Sequence, residues 1–170
     1  MKLSLHTIFI AAAYGAAAVQ IHFHTTTGCN GAFLSCSNLP PNGCCSSTRQ
    51  FQSVDFVSLD TSSNLELSTY RDDRCSSRNG GGNSRGRSSV CISQETLYTS
   101  ANWGRIDFKR DVEGGNAPFQ CIRPQELEFT DGTQFNLTSL SDVDYNRIVN
   151  LAPQIPEDLP EEFQQLKMLA

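Results

Sequence analysis

The apolar residues of this chain fall into two regimes. Residues 3–19 are apolar almost without interruption and rich in alanine, after a positive start at Met1-Lys2 and ahead of only small residues at Ala16-Ala17-Ala18. That layout predicts an export signal over residues 1–18, cleaved between Ala18 and Val19 or one residue later, before Gln20. A membrane-spanning helix needs about 20 apolar residues. This run is shorter and carries His6, and no later run is long enough, so no membrane association is expected after cleavage. Beyond the leader, apolar positions come in short runs separated by turn-forming residues. Residues 51–59 carry Phe51, Val54, Phe56, Val57 and Leu59, and residues 64–71 alternate through Leu65, Leu67 and Thr69. Residues 89–93, 105–109 and 119–123 are further strand candidates. The pattern predicts a mainly β fold, a small β-sandwich or barrel-like domain over residues 19–140.

One hairpin can be read in register. Residues 126–130 and 133–137 flank Asp131-Gly132. A two-residue turn would pair Phe129 with Gln134 and Leu127 with Asn136, mixing apolar and polar on one face. A three-residue loop, Thr130-Asp131-Gly132, with glycine in the left-handed position, sets Leu127 opposite Phe135 and Phe129 opposite Thr133. Asn136 then faces outward. Asn136-Leu137-Thr138 is a glycosylation sequon, which makes Asn136 the expected carrier of a glycan in an exported chain.

Residues 141–170 change to helical spacing and form an acidic C-terminal segment expected to pack on the β domain. Ser141 is placed as N-cap, with Asp142 and Asp144 in the first turn complementing the helix dipole. Tyr145, Ile148, Val149 and Leu151 form the stripe to be buried, and Pro153 stops the helix. Pro160 suits the start of a second short helix whose apolar side is Leu159, Phe163, Leu166 and Leu169.

Seven cysteines, Cys29, Cys36, Cys44, Cys45, Cys75, Cys91 and Cys121, all lie beyond the leader. In an exported chain they read as a disulfide framework, each bridge contributing roughly 2–4 kcal/mol. The spacing lacks a Cys-x-x-Cys pair and has no histidine between or after the cysteines, so a structural zinc site is not expected. A bridge between the neighbours Cys44 and Cys45 would be strained, so they are expected to bond different partners and knot two segments together. The odd count leaves one thiol over. Cys75 and Cys91 are the expected local staple, closing a loop whose Arg- and Gly-rich contents, residues 78–87, carry too little apolar surface to order themselves. Gly80-Gly81-Gly82 fits neither phosphate-binding motif.

Charge changes the picture little. The net charge of −5 becomes −6 once Lys2 leaves with the leader. Residues from Pro124 onward hold two basic against nine acidic side chains, which argues against a nucleic-acid partner.

Candidate chemistry is sparse. His22-Phe23-His24 on a strand puts both rings on one face, a pair that suits copper or zinc, but the sequence announces no third ligand. No metal or cofactor is assigned. Two carboxylates among Asp55, Asp60, Glu66, Asp72, Asp73, Asp107, Asp111 and Glu113 are available for glycosidase work, without any indication of which converge. Trp103, Tyr98 and Tyr70 are the aromatic residues least committed to a strand pattern, and so the candidates for stacking on sugars; the competing reading packs them in the core. Lys109-Arg110 is a dibasic candidate for proteolytic processing.

The export signal, the adjacent Cys44-Cys45 pair, the Cys75 to Cys91 loop and the lack of a catalytic motif resemble the small secreted cysteine-rich, effector-like proteins of filamentous fungi. The strands ahead of Tyr70-Arg71-Asp72-Asp73-Arg74-Cys75 also look faintly like a βγ-crystallin-type Greek key. The first resemblance implies a secreted, non-enzymatic binding or interaction protein acting on cell-wall or host components, with a protein or polysaccharide partner. The alternatives are a secreted polysaccharide hydrolase using two carboxylates, or a toxin-like protein processed at Lys109-Arg110.

Overall fold

The computed structural model describes residues 19–106, 120–151 and 159–168. Eleven strands are followed by two short helices: β1 (Val19–His24), β2 (Phe33–Leu39), β3 (Cys44–Phe51), β4 (Ser53–Val57), β5 (Leu65–Tyr70), β6 (Arg78–Asn83), β7 (Val90–Ile92), β8 (Tyr98–Arg105), β9 (Cys121–Ile122), β10 (Glu126–Glu128), β11 (Gln134–Asn136), α1 (Asp142–Leu151) and α2 (Glu161–Gln164). They form a six-stranded sheet, β11-β10-β2-β1-β4-β7, and a five-stranded sheet, β6-β5-β8-β3-β9. The fold is mainly β, as the alternation predicts, and it is an open two-sheet sandwich with no closed barrel. No helix among the described residues is long and apolar enough to cross a membrane.

Alternation sets the core. On β1, Val19, Ile21 and Phe23 are fully buried, while Gln20, His22 and His24 project from the opposite face. Leu34 and Cys36 of β2, Val54 and Phe56 of β4, Leu65 and Leu67 of β5, and Tyr98, Ala101 and Trp103 of β8 fill the same interior from both sheets. The apolar run 51–59 is not one strand. Phe51 ends β3 in one sheet and Ser53 opens β4 in the other, with the Gln52 N–H donating to the His24 carbonyl at 3.0 Å between them. Phe51, Val54 and Phe56 all face inward because the chain changes sheet at Gln52.

The hairpin takes the predicted register. Leu127 opposes Phe135 and Glu126 opposes Asn136, the Phe129 N–H donates to the Thr133 carbonyl at 3.0 Å, and Gly132 holds φ +83°. Ser141 caps α1 by accepting from the Asp144 N–H at 3.2 Å, and Tyr145, Ile148 and Val149 are buried. Pro160 stands one position ahead of α2, with Leu159 and Phe163 buried behind it.

The Gly-rich loop departs from expectation. Residues 78–83 form β6, paired antiparallel to β5. Glycine makes this strand possible by letting two backbones approach closely: a Cβ on Gly81 would lie 2.4 Å from the Leu67 carbonyl oxygen, at a φ of +150°. The strand is then pinned at both ends. Arg78 pairs with Glu66 at 2.6 Å, and the fully buried Ser84 hydroxyl accepts from the Leu65 N–H at 2.9 Å while donating to the Ser63 carbonyl at 3.1 Å. These polar ties replace the apolar surface that the composition lacks. Gly81→Ala should therefore cost roughly 1–3 kcal/mol in chemical denaturation. Gly82→Ala, where a Cβ meets nothing within 4 Å, should leave the midpoint unchanged or slightly raised.

Candidate functional site

The three rings that are candidates for stacking on sugars are all buried. Trp103 is 3% exposed, and its indole N–H donates to the Leu39 carbonyl at 3.0 Å. Tyr98 is fully buried, its hydroxyl accepting from the Gln94 N–H at 3.0 Å. The Tyr70 hydroxyl donates to Asn102 Oδ1 at 3.1 Å, and its ring packs beside Cys44 and Cys75. Each polar tip finds an internal partner, so the ring belongs to the core and offers no face to a ligand. Asn136 is exposed at the rim of the six-stranded sheet. Lys109 and Arg110, with Asp107, Asp111 and Glu113, lie outside the described residues.

The sulfurs organise around β3. Cys45 points inward and bridges Cys36 of β2 across the sandwich, with Cα atoms 6.0 Å apart. Cys44, the next residue, points to the outer face, so the adjacent pair does take different partners. Cys29, in the loop after β1, bridges Cys91 of β7. The expected Cys75–Cys91 staple is thus corrected: Cys91 sits on the edge of the six-stranded sheet, whereas Cys75 lies behind the five-stranded one. Cys44 meets both Cys75 and Cys121, at Cα separations of 6.2 and 4.4 Å, and the three Sγ atoms lie within 4.8 Å of one another. A sulfur closes one disulfide, so Cys44 bonds Cys75 or Cys121 in any one molecule.

Cys75 reaches this junction through a turn built on Asp72. The Asp72 carboxylate accepts from the backbone N–H groups of Arg74, Ser76 and Ser77 and from the Ser76 hydroxyl. Partial desolvation raises its pKa, but these donors outweigh it and hold the carboxyl at about 2.

Beside the junction a cleft of about 300 Å³ opens between β3 and α1, lined by Ser46, Ser47, Thr48, Asp73, Arg123, Asp142, Tyr145 and Asn146. Arg123, one residue past β9, pairs with Asp142 at 2.8 Å and sits over the Tyr145 ring at 4.7 Å. Thr48 donates to Asn146 Oδ1 at 2.7 Å across the opening. The floor is Tyr145, 3% exposed, whose hydroxyl has no hydrogen-bond partner among the described residues. Burial pushes that hydroxyl well above the usual phenol range, against the opposing pull of Arg123 and of the nearby Ser47 hydroxyl. It is therefore a neutral O–H able to donate and accept, on a residue that lines the cleft. Sequence reading placed Tyr145 in the buried stripe but missed the cleft, because its walls come from segments about a hundred positions apart, as Thr48 and Asn146 are.

On the far face of the molecule, His22 and His24 of β1 meet Asp55 of β4, the register partner of His22. One ring nitrogen from each histidine and a carboxylate oxygen lie within 4.8 Å of one another. Burial, reinforced by the neighbouring His24, lowers the His22 pKa to about 4. Burial also lowers that of His24, while the carbonyls of Gly31 and Asn30 act in the opposite sense without closing a hydrogen bond. Burial raises the Asp55 carboxyl, opposed by the Phe56 N–H.

Two outcomes follow. Peptide mapping under non-reducing conditions should recover Cys29–Cys91 and Cys36–Cys45, with one further bridge among Cys44, Cys75 and Cys121; Cys121→Ser should leave Cys44–Cys75 as the third bridge. Asp72 stabilises the fold fully above the unfolded aspartate pKa of about 3.9 and loses that contribution as pH falls through about 2. Denaturation of Asp72→Ala should show a deficit of about 1 kcal/mol at pH 7, modest because the carboxylate is solvent-screened, that disappears near pH 2.

A family model described as an N-terminal domain, ARB_05566_N, matches residues 20–125. No curated protein and no solved structure matches the chain. The matched stretch takes in all seven cysteines, β1 from Gln20 through β9, and the His22, His24 and Asp55 cluster, and it stops short of α1 and Tyr145. With well over half of its length inside that match, the chain belongs to the ARB_05566_N N-terminal domain family.

Proposed function

We propose that this chain is a secreted, non-enzymatic binding protein of fungal cysteine-rich type that holds a cell-wall polysaccharide in the cleft between β3 and α1. The observation that carries this reading is the Tyr145 hydroxyl, buried at the cleft beside the Ser47 hydroxyl without closing a full hydrogen bond. A buried polar group left unpaired costs about 1–3 kcal/mol, and a ligand hydroxyl entering the cleft removes that cost. The walls suit the same ligand: three hydroxyls, an amide, a guanidinium and two carboxylates match a polyhydroxylated chain. The leader-like start and the disulfide framework support an oxidising, extracellular setting. Asn136, exposed and bonded through its Oδ1 to the Thr138 N–H, is the position we assign to a glycan.

The cleft also carries two carboxylates, Asp73 and Asp142, which keeps a hydrolase as the second reading. The side chain of Asp142 is 95% exposed and ion-paired to Arg123, and that of Asp73 is 68% exposed beside Arg74. Neither has the secluded, apolar surroundings that prepare a general acid, which favours binding over turnover.

Retention of the purified protein on chitin, β-glucan and cellulose tests the proposal, with Tyr145→Phe alongside. That change keeps the ring and removes only the hydroxyl, so the melting temperature should hold or rise while retention weakens about tenfold. Unchanged retention in Tyr145→Phe removes the cleft from the account, sugar release moves the chain to the hydrolases, and neither retention nor release points to a protein partner.

A further inference from the structure

The face of the six-stranded sheet turned away from the core holds a second site, separate from the cleft and independent of the polysaccharide reading. Its residues come from β1 and β4, which lie side by side as inner strands of that sheet. Strand alternation sends His22 and His24 to one face. Antiparallel pairing sets Asp55 directly opposite His22 and Ser53 opposite His24. We propose that His22, His24 and Asp55 form a binding site for a divalent transition-metal ion of borderline softness, copper(II) or zinc.

The donor set selects the ion. Two imidazole nitrogens and one carboxylate oxygen suit copper(II) and zinc, whereas calcium and magnesium take oxygen ligands alone. Ligand atoms around one such ion stand at about 2.0–2.2 Å from it, and hence roughly 3–4 Å from each other. The three donor atoms already lie within 4.8 Å of one another, so small side-chain rotations close the site. Three protein ligands leave at least one coordination position for water or a bound molecule.

His24 supplies the independent observation. It is 4% exposed, and although the Gly31 and Asn30 carbonyls lie beside the ring, neither nitrogen closes a full hydrogen bond. Buried imidazoles ordinarily satisfy at least one nitrogen, and an ion shared with His22 and Asp55 would satisfy this one. The surroundings hold the rings in place. Phe33 of β2 stacks on His22 with centroids 4.2 Å apart and packs against His24 at 5.1 Å. Gln20 Oε1 lies 3.3 Å from His22 Nε2; a ring N–H donated there leaves Nδ1 as the lone-pair donor, the outer bond that orients a metal-ligating histidine. The sequence hid this site because Asp55 lies 33 positions from His22, and only the β1–β4 register joins them.

Calorimetric titration of the intact chain with copper(II) and zinc, and with calcium and magnesium as oxygen-preferring controls, tests the site. One equivalent of copper(II) or zinc should bind, and Asp55→Asn, which keeps the side-chain shape, should weaken it at least about tenfold. The double change His22→Asn, His24→Asn should abolish it. Because His24 is buried and its replacement can unfold the sheet, a second measurement uses the unaltered protein: zinc should shift the ring-nitrogen resonances of His22 and His24 together. The proposal is overturned if neither metal binds at one equivalent, if Asp55→Asn binds as tightly as the parent chain, or if the two rings fail to respond to zinc.

Discussion

Adjacent residues on a strand point to opposite faces, and at Cys44-Cys45 that rule puts one sulfur inside the sandwich and the next outside it. Most of the molecule hangs on the consequence. Cys45 ties β3 to Cys36 of β2, joining the two sheets through the core. Cys44 meets Cys75 of the 72–77 turn behind the five-stranded sheet and Cys121 of β9 at the edge of that sheet. Strand β9 is too short to hold itself by two parallel pairings, Cys44 with Cys121 and Cys45 with Ile122, so the sulfur contact fixes it. Arg123 follows at once, and its place over Tyr145 at the cleft floor depends on that anchorage. Strand β2, held by Cys36, in turn carries Phe33 beneath the two histidine rings.

The cleft and the histidine cluster share a physical character despite lying on different faces. Each contains a buried polar group that folding alone leaves unsatisfied: the Tyr145 hydroxyl in one, the two ring nitrogens of His24 in the other. Such groups oppose stability and are uncommon in packed proteins. The two differ in what they would accept. Tyr145 stands among hydroxyls, an amide and a guanidinium, which suits a neutral polar ligand. The histidines stand beside a carboxylate and a phenyl ring, which suits a cation.

What the sequence made legible is what short-range rules govern. The bulged hairpin followed from matching apolar faces across three residues, the Ser141 cap from its spacing to the first turn, and the divergence of Cys44 and Cys45 from disulfide geometry. The features that escaped depend on distant partners. The glycine strand β6 reads as disordered because its order comes from Glu66, Leu65 and Ser63, contributed by β5 and the turn before it. The Cys75–Cys91 pairing looked local along the chain, yet β7 joins one sheet and the 72–77 turn packs on the other. Trp103, in a small polar sequence setting, is core because its indole N–H reaches the Leu39 carbonyl 64 positions away.

The four sheet edges have a consequence for self-association. An open edge is a template on which another chain adds a strand. Here β11 is bridged by the C-terminal segment, Phe135 pairing with Lys167. At the other end of that sheet β7 is three residues long and bound by Cys91 to the loop after β1. In the second sheet β9 is only two residues, and β6 presents glycines flanked by Arg78, Arg85 and Arg87. A strand whose three central residues lack side chains, bordered by Arg78, Arg85 and Arg87, gives an incoming strand little to pack against. The glycine run that looked like slack in the sequence thereby becomes a guard against self-assembly.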